Sequence, residues 1–134
     1  MNKIATEQAE LEFDRFIDLM GIDASTEAMD EEDKKSFELQ KHRIIKSIET
    51  GALVINENGE PVYTPQRSKN IEAITFYEPE GSALMEMDRR KKNEDVAKMY
   101  MLLGSITKTH SSTFAKMKIS DLKVCQAIGT LFLG

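Results

Sequence analysis

Within residues 76–88, FYEPEGSALMEMD, the sequence changes from an extended pattern to a helical one. Pro79 has no N–H to donate to a β-ladder, and it restrains Glu78 to an extended conformation, so a strand ends here. A short, Met-rich helical pattern over 84–88 follows at once. The junction therefore predicts a sheet in the middle of the chain and helices after it.

Two short apolar pieces, 53–55 and 62–63, lie upstream of this junction on either side of the turn sequence NENGE. A turn rich in Asn and Gly is typical of a β-hairpin. The alternating segment IEAITFY at 71–77 predicts a third strand. Together these segments predict a small antiparallel sheet.

Helical spacing of apolar residues marks both ends of the chain. The first pattern stops at Gly21, where a glycine just beyond a helix C-terminus belongs. A second helix begins near Asp30, because acidic residues there favour the positive end of the helix dipole, and it stops at Gly51. Three or four further helices follow the sheet, with Ser120 placed to cap the last. The fold class is α+β, predominantly helical with a small three-stranded antiparallel sheet in the middle of the chain.

Strands and later helices are expected to contribute to one core. One helical stripe has the spacing i, i+3, i+4, i+7, which buries one face of a helix, and its residues are Val96, Met99, Tyr100 and Leu103. A chain of 134 residues suits one compact unit, in which we expect an acidic helical segment over residues 1–50 and an α+β domain over residues 51–134. The expected core residues are Leu53, Ile55, Ile74, Phe76, Val96, Tyr100, Leu103, Leu122, Cys125 and Ile128.

Charge is distributed unevenly along the chain. Residues 1–67 carry 15 acidic and 8 basic residues, a net charge of −7, whereas residues 68–134 carry 8 acidic and 10 basic residues, a net charge of +2. The acidic half argues against nucleic acid as the main partner, since phosphates bind clustered cations. No apolar run approaches the ~20 residues that span a bilayer, and the N-terminus lacks a secretory pattern. We therefore expect a cytoplasmic protein that does not bind membranes.

Side chains that perform catalysis or bind metals are scarce. His42 and His110 each lack a neighbouring Cys or second His, so neither fits the spacing of a zinc site. The acidic stretch DASTEAMDEED lacks the central Gly and the terminal Glu of a calcium loop. Cys125 lies on the apolar stripe of the last helix, where Cys acts as a small hydrophobic residue. We expect no catalytic residue, cofactor or metal, and no enzymatic activity.

Methionine is concentrated in the C-terminal half, with five of the eight Met residues between positions 85 and 117. Flexible thioether side chains suit surfaces that repack against more than one partner. Some of these Met residues are expected to pack the core, but Met87 and Met101 lie off the stripe formed by positions 96, 99, 100 and 103. Together with the apolar end GTLFLG, they indicate a surface that another polypeptide would cover. The predicted partner-binding residues are Met85, Met87, Met101, Leu131, Phe132 and Leu133.

The segments IEAITFYEPEGSALMEMD, VAKMYMLLGSIT and ISDLKVCQAIGTLFLG, taken in order, resemble the tail assembly chaperones of contractile-tailed phages of the Mu-like kind. That family shows a strand ending in a Glu-Pro turn, a short charged helix, a helix ending in an apolar-Thr segment, and a final Asp-led helix with a terminal Phe. The similarity covers about residues 52–134, and the matching positions are Glu78, Pro79, 84–88, 102–107, Asp121 and Phe132.

The resemblance implies a protein without enzymatic activity that coats the hydrophobic tape measure protein in the host cytoplasm. It would keep this client soluble, help to recruit tail tube subunits, and be displaced as they polymerise, so that it is absent from the mature virion. The N-terminal acidic helices, which the family pattern does not include, would then serve solubility or self-association.

Two other functions remain open from the sequence. A small structural tail or baseplate component of a phage particle would share the acidic α+β character. The last two helical patterns, SSTFAKMKISDLKVCQAI, also have the order of a helix-turn-helix regulator. Such a regulator needs base-reading side chains on its second helix, where only Lys123 and Gln126 are available.

Overall fold

The computed structural model describes residues 4–22, 24, 27, 29–82 and 95–133. Helices precede and follow a small sheet, which confirms the predicted α+β class. The short helical pattern expected at 84–88 lies outside the described residues. The described elements are α1 (Thr6–Met20), α2 (Glu31–Thr50), β1 (Leu53–Ile55), β2 (Pro61–Tyr63), β3 (Ile74–Thr75), α3 (Asp95–Thr107), α4 (Ser112–Ala115) and α5 (Ile119–Leu133).

The boundaries of the two N-terminal helices lie where the sequence predicts, at Gly21, Asp30 and Gly51. Gly21 has a φ of 66°, a left-handed conformation that glycine adopts at little cost, and its N–H donates to the Asp18 carbonyl. The Asp30 carboxylate accepts a hydrogen bond from the Asp33 N–H at 2.8 Å, so Asp30 is the N-cap of α2. Gly51, with a φ of 84°, ends that helix. Local capping chemistry therefore sets these boundaries.

The sheet is antiparallel, and its strand order is β1-β2-β3. In the predicted hairpin, the Asn56 side chain organises the turn by accepting hydrogen bonds from the Asn58 and Glu60 N–H groups, each at 2.9 Å. Ile55 is paired with Pro61. Pro61 has no N–H, but its carbonyl accepts a hydrogen bond at 2.8 Å from the N–H of Phe76, the residue that follows β3.

The third strand is shorter than the predicted 71–77, since β3 contains only Ile74 and Thr75. Only Val62 and Tyr63 of β2 pair with it, and Tyr63 is the last residue of β2, so pairing stops at Ile74. Beyond Phe76 the chain leaves the sheet, because the Tyr77 N–H donates to the Ile106 carbonyl of α3 at 2.8 Å. The apolar alternation in 71–77 thus reflects packing on helices as well as strand pairing.

The outer edge of β1 is held by a side chain of α1. The Arg15 guanidinium donates to the carbonyls of Ile55 at 2.6 Å and Asn56 at 2.8 Å, and it also pairs with the Glu12 carboxylate at 2.7 Å. Edge strands with unpaired main-chain groups promote association, and the arginine occupies two of the carbonyls at this end of the edge. Arg15 thus joins the N-terminal helix to the sheet.

One hydrophobic cluster includes residues from the N-terminal helices, the sheet and the C-terminal helices. Helix α2 packs against α5, and the Phe16 ring of α1 meets the Phe132 ring edge-on at a centroid distance of 5.7 Å. Tyr100 and Leu122, both expected in the core, are half-buried against it, and the Val96 side chain is outside the described part. The expected core residues found buried are Leu53, Ile55, Ile74, Phe76, Leu103, Cys125 and Ile128.

Candidate partner-binding surface

Asp121 fixes the first turn of α5, the helix that carries the apolar C-terminus. The residue is 1% exposed, and its carboxylate accepts five hydrogen bonds. One carboxylate oxygen accepts from the Tyr63 hydroxyl at 2.6 Å and the Gln66 N–H at 2.7 Å. The other accepts from the Arg67 N–H at 2.9 Å, and from the Ser68 N–H and hydroxyl at 2.8 and 2.7 Å. A loop after β2 is thereby bound to α5.

Ser68 also completes the start of α5, because its hydroxyl oxygen accepts from the Lys118 N–H at 2.9 Å. The prediction that Ser120 caps this helix is wrong, since α5 begins at Ile119 and Ser120 lies inside its first turn. The hydroxyl that meets a main-chain N–H at this end comes from a loop 50 residues earlier. Local sequence around the helix start does not contain that information.

Two opposing effects act on the pKa of Asp121. Burial alone would raise it, because burial removes water from the charged form. The hydrogen bonds from Tyr63, Gln66, Ser68 and Arg67 stabilise the carboxylate and lower its pKa from 3.8 to about 2. Burial, followed by the hydrogen bond to Asp121, raises the pKa of Tyr63. At neutral pH the phenol therefore keeps its proton and the carboxylate its charge.

Acid is expected to destabilise the protein as Asp121 takes up a proton. Because its pKa is lower in the folded protein than the ordinary 3.8, its contribution is complete above about pH 4 and is lost as the pH falls through about 2. Lowering this pKa from 3.8 to about 2 corresponds to between about 2 and about 3 kcal/mol of unfolding free energy.

Urea unfolding of the wild type and of Asp121→Asn, from about pH 6 to about pH 2, measures this contribution. The Asn side chain does not titrate, so the difference in unfolding free energy between the two proteins should shrink toward low pH. A difference that stays constant over this range would contradict the assigned pKa.

The apolar-Thr segment of α3 is buried on one side. Leu103 is in the core, and the buried Thr107 hydroxyl donates to its carbonyl at 2.6 Å. A side chain at Gly104 would meet the Thr109 carbonyl at 2.9 Å, so glycine permits the following loop to approach the helix. Met101 is half-buried and, with Gly104, lines a cleft of about 580 Å³. Met101 is thus accessible in part from outside the core.

The three apolar residues at the end of α5 differ in exposure. Leu131 is buried in the core, Phe132 is half-buried against Phe16, and Leu133 is 43% exposed. Met85 and Met87 lie outside the described residues. Binding of a partner by these residues stays a prediction, and Leu133 is the member of the C-terminal set most available for it.

Two reactive side chains among the described residues, Cys125 and His110, have structural contacts. Burial, and then the nearby Asp121 carboxylate, raise the pKa of the Cys125 thiol, which donates to the Met117 sulfur at 3.8 Å. His110 Nδ1 is 2.8 Å from the Ser112 hydroxyl and accepts from the Ser112 N–H. Within the described part of the chain, no group of three or more His, Cys, Asp or Glu side chains is arranged to hold a metal ion.

Sequence reasoning overlooked Asp121 as the residue that positions α5. A signal was present, because Asp121 lies four residues before Cys125 and seven before Ile128, on the face that both use to enter the core. An acidic residue on an apolar face needs hydrogen-bond donors. Its donors lie 53–58 residues away in sequence and follow no local pattern.

A family model described as phage tail assembly chaperone proteins, E, or 41 or 14, matches residues 60–134. The matched region contains β2, β3, α3, α4 and α5, together with Asp121 and the loop that binds it. Neither the comparison with curated proteins nor that with solved structures gives a match. Among the described residues, no helix combines the length and apolar character needed to pass through a membrane.

Proposed function

This chain belongs to the family of phage tail assembly chaperone proteins, and from that membership we propose that it binds the tape measure protein and keeps it soluble while tail tube subunits are recruited. The observation that carries the proposal is the family match over residues 60–134, more than half of the chain. Binding and release would need no covalent chemistry, so we propose a protein without enzymatic activity.

The place where this protein would act follows from the proposed order of steps in tail assembly. A chaperone for the tape measure protein would act in the host cytoplasm, and tube subunits that polymerise around the client would displace it. We therefore propose that it is absent from the mature virion. Purified particles provide a check, because a structural tail or baseplate component would be retained in them.

The proposed client-binding surface lies on the C-terminal helices. It includes the exposed Leu133 and the half-buried Phe132 and Met101, with Met85 and Met87 as further members. All of them fall within the matched residues 60–134. Leu131, which is buried, would support this surface from the core. Exposed apolar side chains on a helix fit an apolar client, and the acidic composition keeps the complex in solution.

Replacing Leu133 by Glu is expected to weaken client binding about tenfold or more, because a carboxylate would be placed in an apolar contact. The matched control is Leu39→Glu on α2, a residue of similar exposure, 47% against 43%, that lies outside the matched region. Co-expression with the tape measure protein, followed by measurement of the soluble client fraction, tests both. The wild type and Leu39→Glu should keep the client soluble, whereas Leu133→Glu should not.

The outcomes separate the surface from the function. A client that stays equally soluble with Leu133→Glu and the wild type would contradict the proposed surface. A client that precipitates with the wild type as it does alone would contradict the chaperone proposal itself. Circular dichroism of both variants verifies that each is folded.

A further inference from the structure

Helix α1 carries a stripe of acidic residues on its exposed side, and we call it the acidic stripe. At 100° per residue, positions 7, 10, 14 and 18 fall within an arc of about 80° and extend over about 16 Å of helix. Leu11, 62% exposed, borders the stripe at about 20° from its nearest member. The members are Glu7, Glu10, Asp14 and Asp18, all exposed.

A second charged surface lies where the loop after β2 meets the start of α5, and we call it the basic end. The Ser68–Lys118 hydrogen bond of 2.9 Å and the contact of the Arg67 N–H with Asp121 bring two short segments together. Ile119, 69% exposed, lies at this junction. The cations of the basic end are Arg67, Lys69, Lys116 and Lys118, all exposed.

Neither surface is neutralised by an ion pair within the described part of the chain. The ion pairs found there are Arg15–Glu12 and Lys46–Glu49, and neither involves the acidic stripe or the basic end. Asp121, the acidic residue that is hydrogen-bonded to the loop of the basic end, is buried and has its carboxylate oxygens occupied by five hydrogen bonds. Four cations and four anions are thus exposed on different elements of one molecule, and among the anions Glu10 shares a cleft with Lys41 and Lys46 of α2.

We propose that the basic end of one copy binds the acidic stripe of a second copy. The two surfaces have matching charge numbers, and each borders a largely exposed aliphatic side chain, Ile119 or Leu11, that the contact would cover. The contact is heterologous, so each bound copy keeps one surface available and association continues head to tail. Exposed ion pairs contribute little individually and are screened by salt, so the association is weak and reversible. It does not depend on the identity of the client.

Sedimentation velocity of the full chain at a series of concentrations tests the proposal. At about 0.05 M NaCl the average mass should rise with concentration, and at about 1 M NaCl, where the Debye length is about 3 Å, the protein should be monomeric. A wild type that stays monomeric at low salt over the whole series would overturn the proposal. So would association that is unchanged at high salt, since an apolar contact would then be responsible.

Charge-reversing substitutions test whether the basic end and the acidic stripe form the proposed contact. Lys116→Glu with Lys118→Glu removes the basic end, and Asp14→Lys with Asp18→Lys removes the acidic stripe. Each double variant alone should associate at least about tenfold more weakly than the wild type, because like charges oppose each other at the contact. The matched control, Lys34→Glu with Lys35→Glu, makes the same charge change at exposed residues of α2 and should associate as the wild type does.

An equimolar mixture of the two double variants is the decisive arm. The first keeps its acidic stripe and the second keeps its basic end, and the two reversed surfaces also carry opposite charges, so the mixture should associate about as strongly as the wild type. A mixture that associates no more strongly than either variant alone, or association of either variant alone at wild-type strength, would overturn the assignment of the surfaces.

Discussion

Replacing Asp121 by Ala is expected to lower the free energy of unfolding by about 3–5 kcal/mol. The substitution leaves five hydrogen-bond donors without their acceptor: the N–H groups of Gln66, Arg67 and Ser68, and the hydroxyls of Tyr63 and Ser68. The site is buried, so water replaces the lost carboxylate poorly. The free energy of unfolding of a native protein is about 5–15 kcal/mol in total, so this loss is a large part of the stability.

Asp121→Asn should cost less than Asp121→Ala. The amide oxygen can still accept from Arg67 and Ser68, whereas its NH₂ group faces the Gln66 N–H, a second donor. Urea denaturation at neutral pH should give the order wild type, Asn, Ala in decreasing stability. The control Glu72→Ala removes an exposed carboxylate and should change stability by less than about 0.5 kcal/mol. A stable Asp121→Ala variant would contradict the role given to the hydrogen bonds.

These hydrogen bonds connect stability to both proposed surfaces. They hold the start of α5 against the loop that carries Arg67, and α5 in turn carries Leu133 at its other end. A variant that loses the hydrogen bonds should therefore lose client binding through misplacement of α5. Client assays are informative only with variants that keep Asp121.

The helix ends of the N-terminal half could be predicted because their determinants are local. Asp30 caps α2 through an N–H three residues away, and Gly21 and Gly51 adopt the left-handed conformation at the ends of α1 and α2. The third strand was overestimated because strand length depends on the partner strand. An alternating segment cannot indicate that only Val62 and Tyr63 of β2 pair with it.

The surface could be predicted only in part, because exposure at the end of α5 is decided by distant contacts. Leu131 and Leu133 have the same sequence character, but the first is in the core and the second is exposed. Phe132 is covered by Phe16, which is 116 residues earlier in the chain. Helical spacing gives the directions of these side chains relative to one another. Which of them is covered depends on where α1 packs against α5.

The family match begins at residue 60, yet the helices before it belong to the same hydrophobic cluster. Helix α2 packs on α5, α1 contributes Phe13 and Phe16 to the core, and Arg15 binds the hairpin. Without α1 and α2, the faces of β1 and α5 that they cover would meet water. We therefore expect the N-terminal helices to stabilise the matched region.

Phe16→Ala tests this dependence and is expected to lower the free energy of unfolding by about 3–5 kcal/mol, the usual cost of truncating a buried Phe. The Phe16 ring is fully buried and makes edge-on contacts with Phe13 at a centroid distance of 6.2 Å and with Phe132 at 5.7 Å. Such aromatic pairs add to the burial of apolar area. The cavity would open between α1 and the end of α5, so helices from both ends of the chain would lose packing.

Urea unfolding of Phe16→Ala, followed by far-ultraviolet circular dichroism and by proteolysis of the C-terminal helices, distinguishes one unit from two. If α1 and the matched region fold together, both probes should shift to lower urea by the same amount and in a single transition. Leu11→Ala, a truncation on the exposed side of the same helix, should change the free energy of unfolding measured with either probe by no more than about 0.5 kcal/mol. An early loss of helical signal with an unchanged midpoint for the C-terminal helices would show that residues 1–50 fold separately. A common shift would mean that α5 depends on α1 for its stability, even though the family match does not include α1.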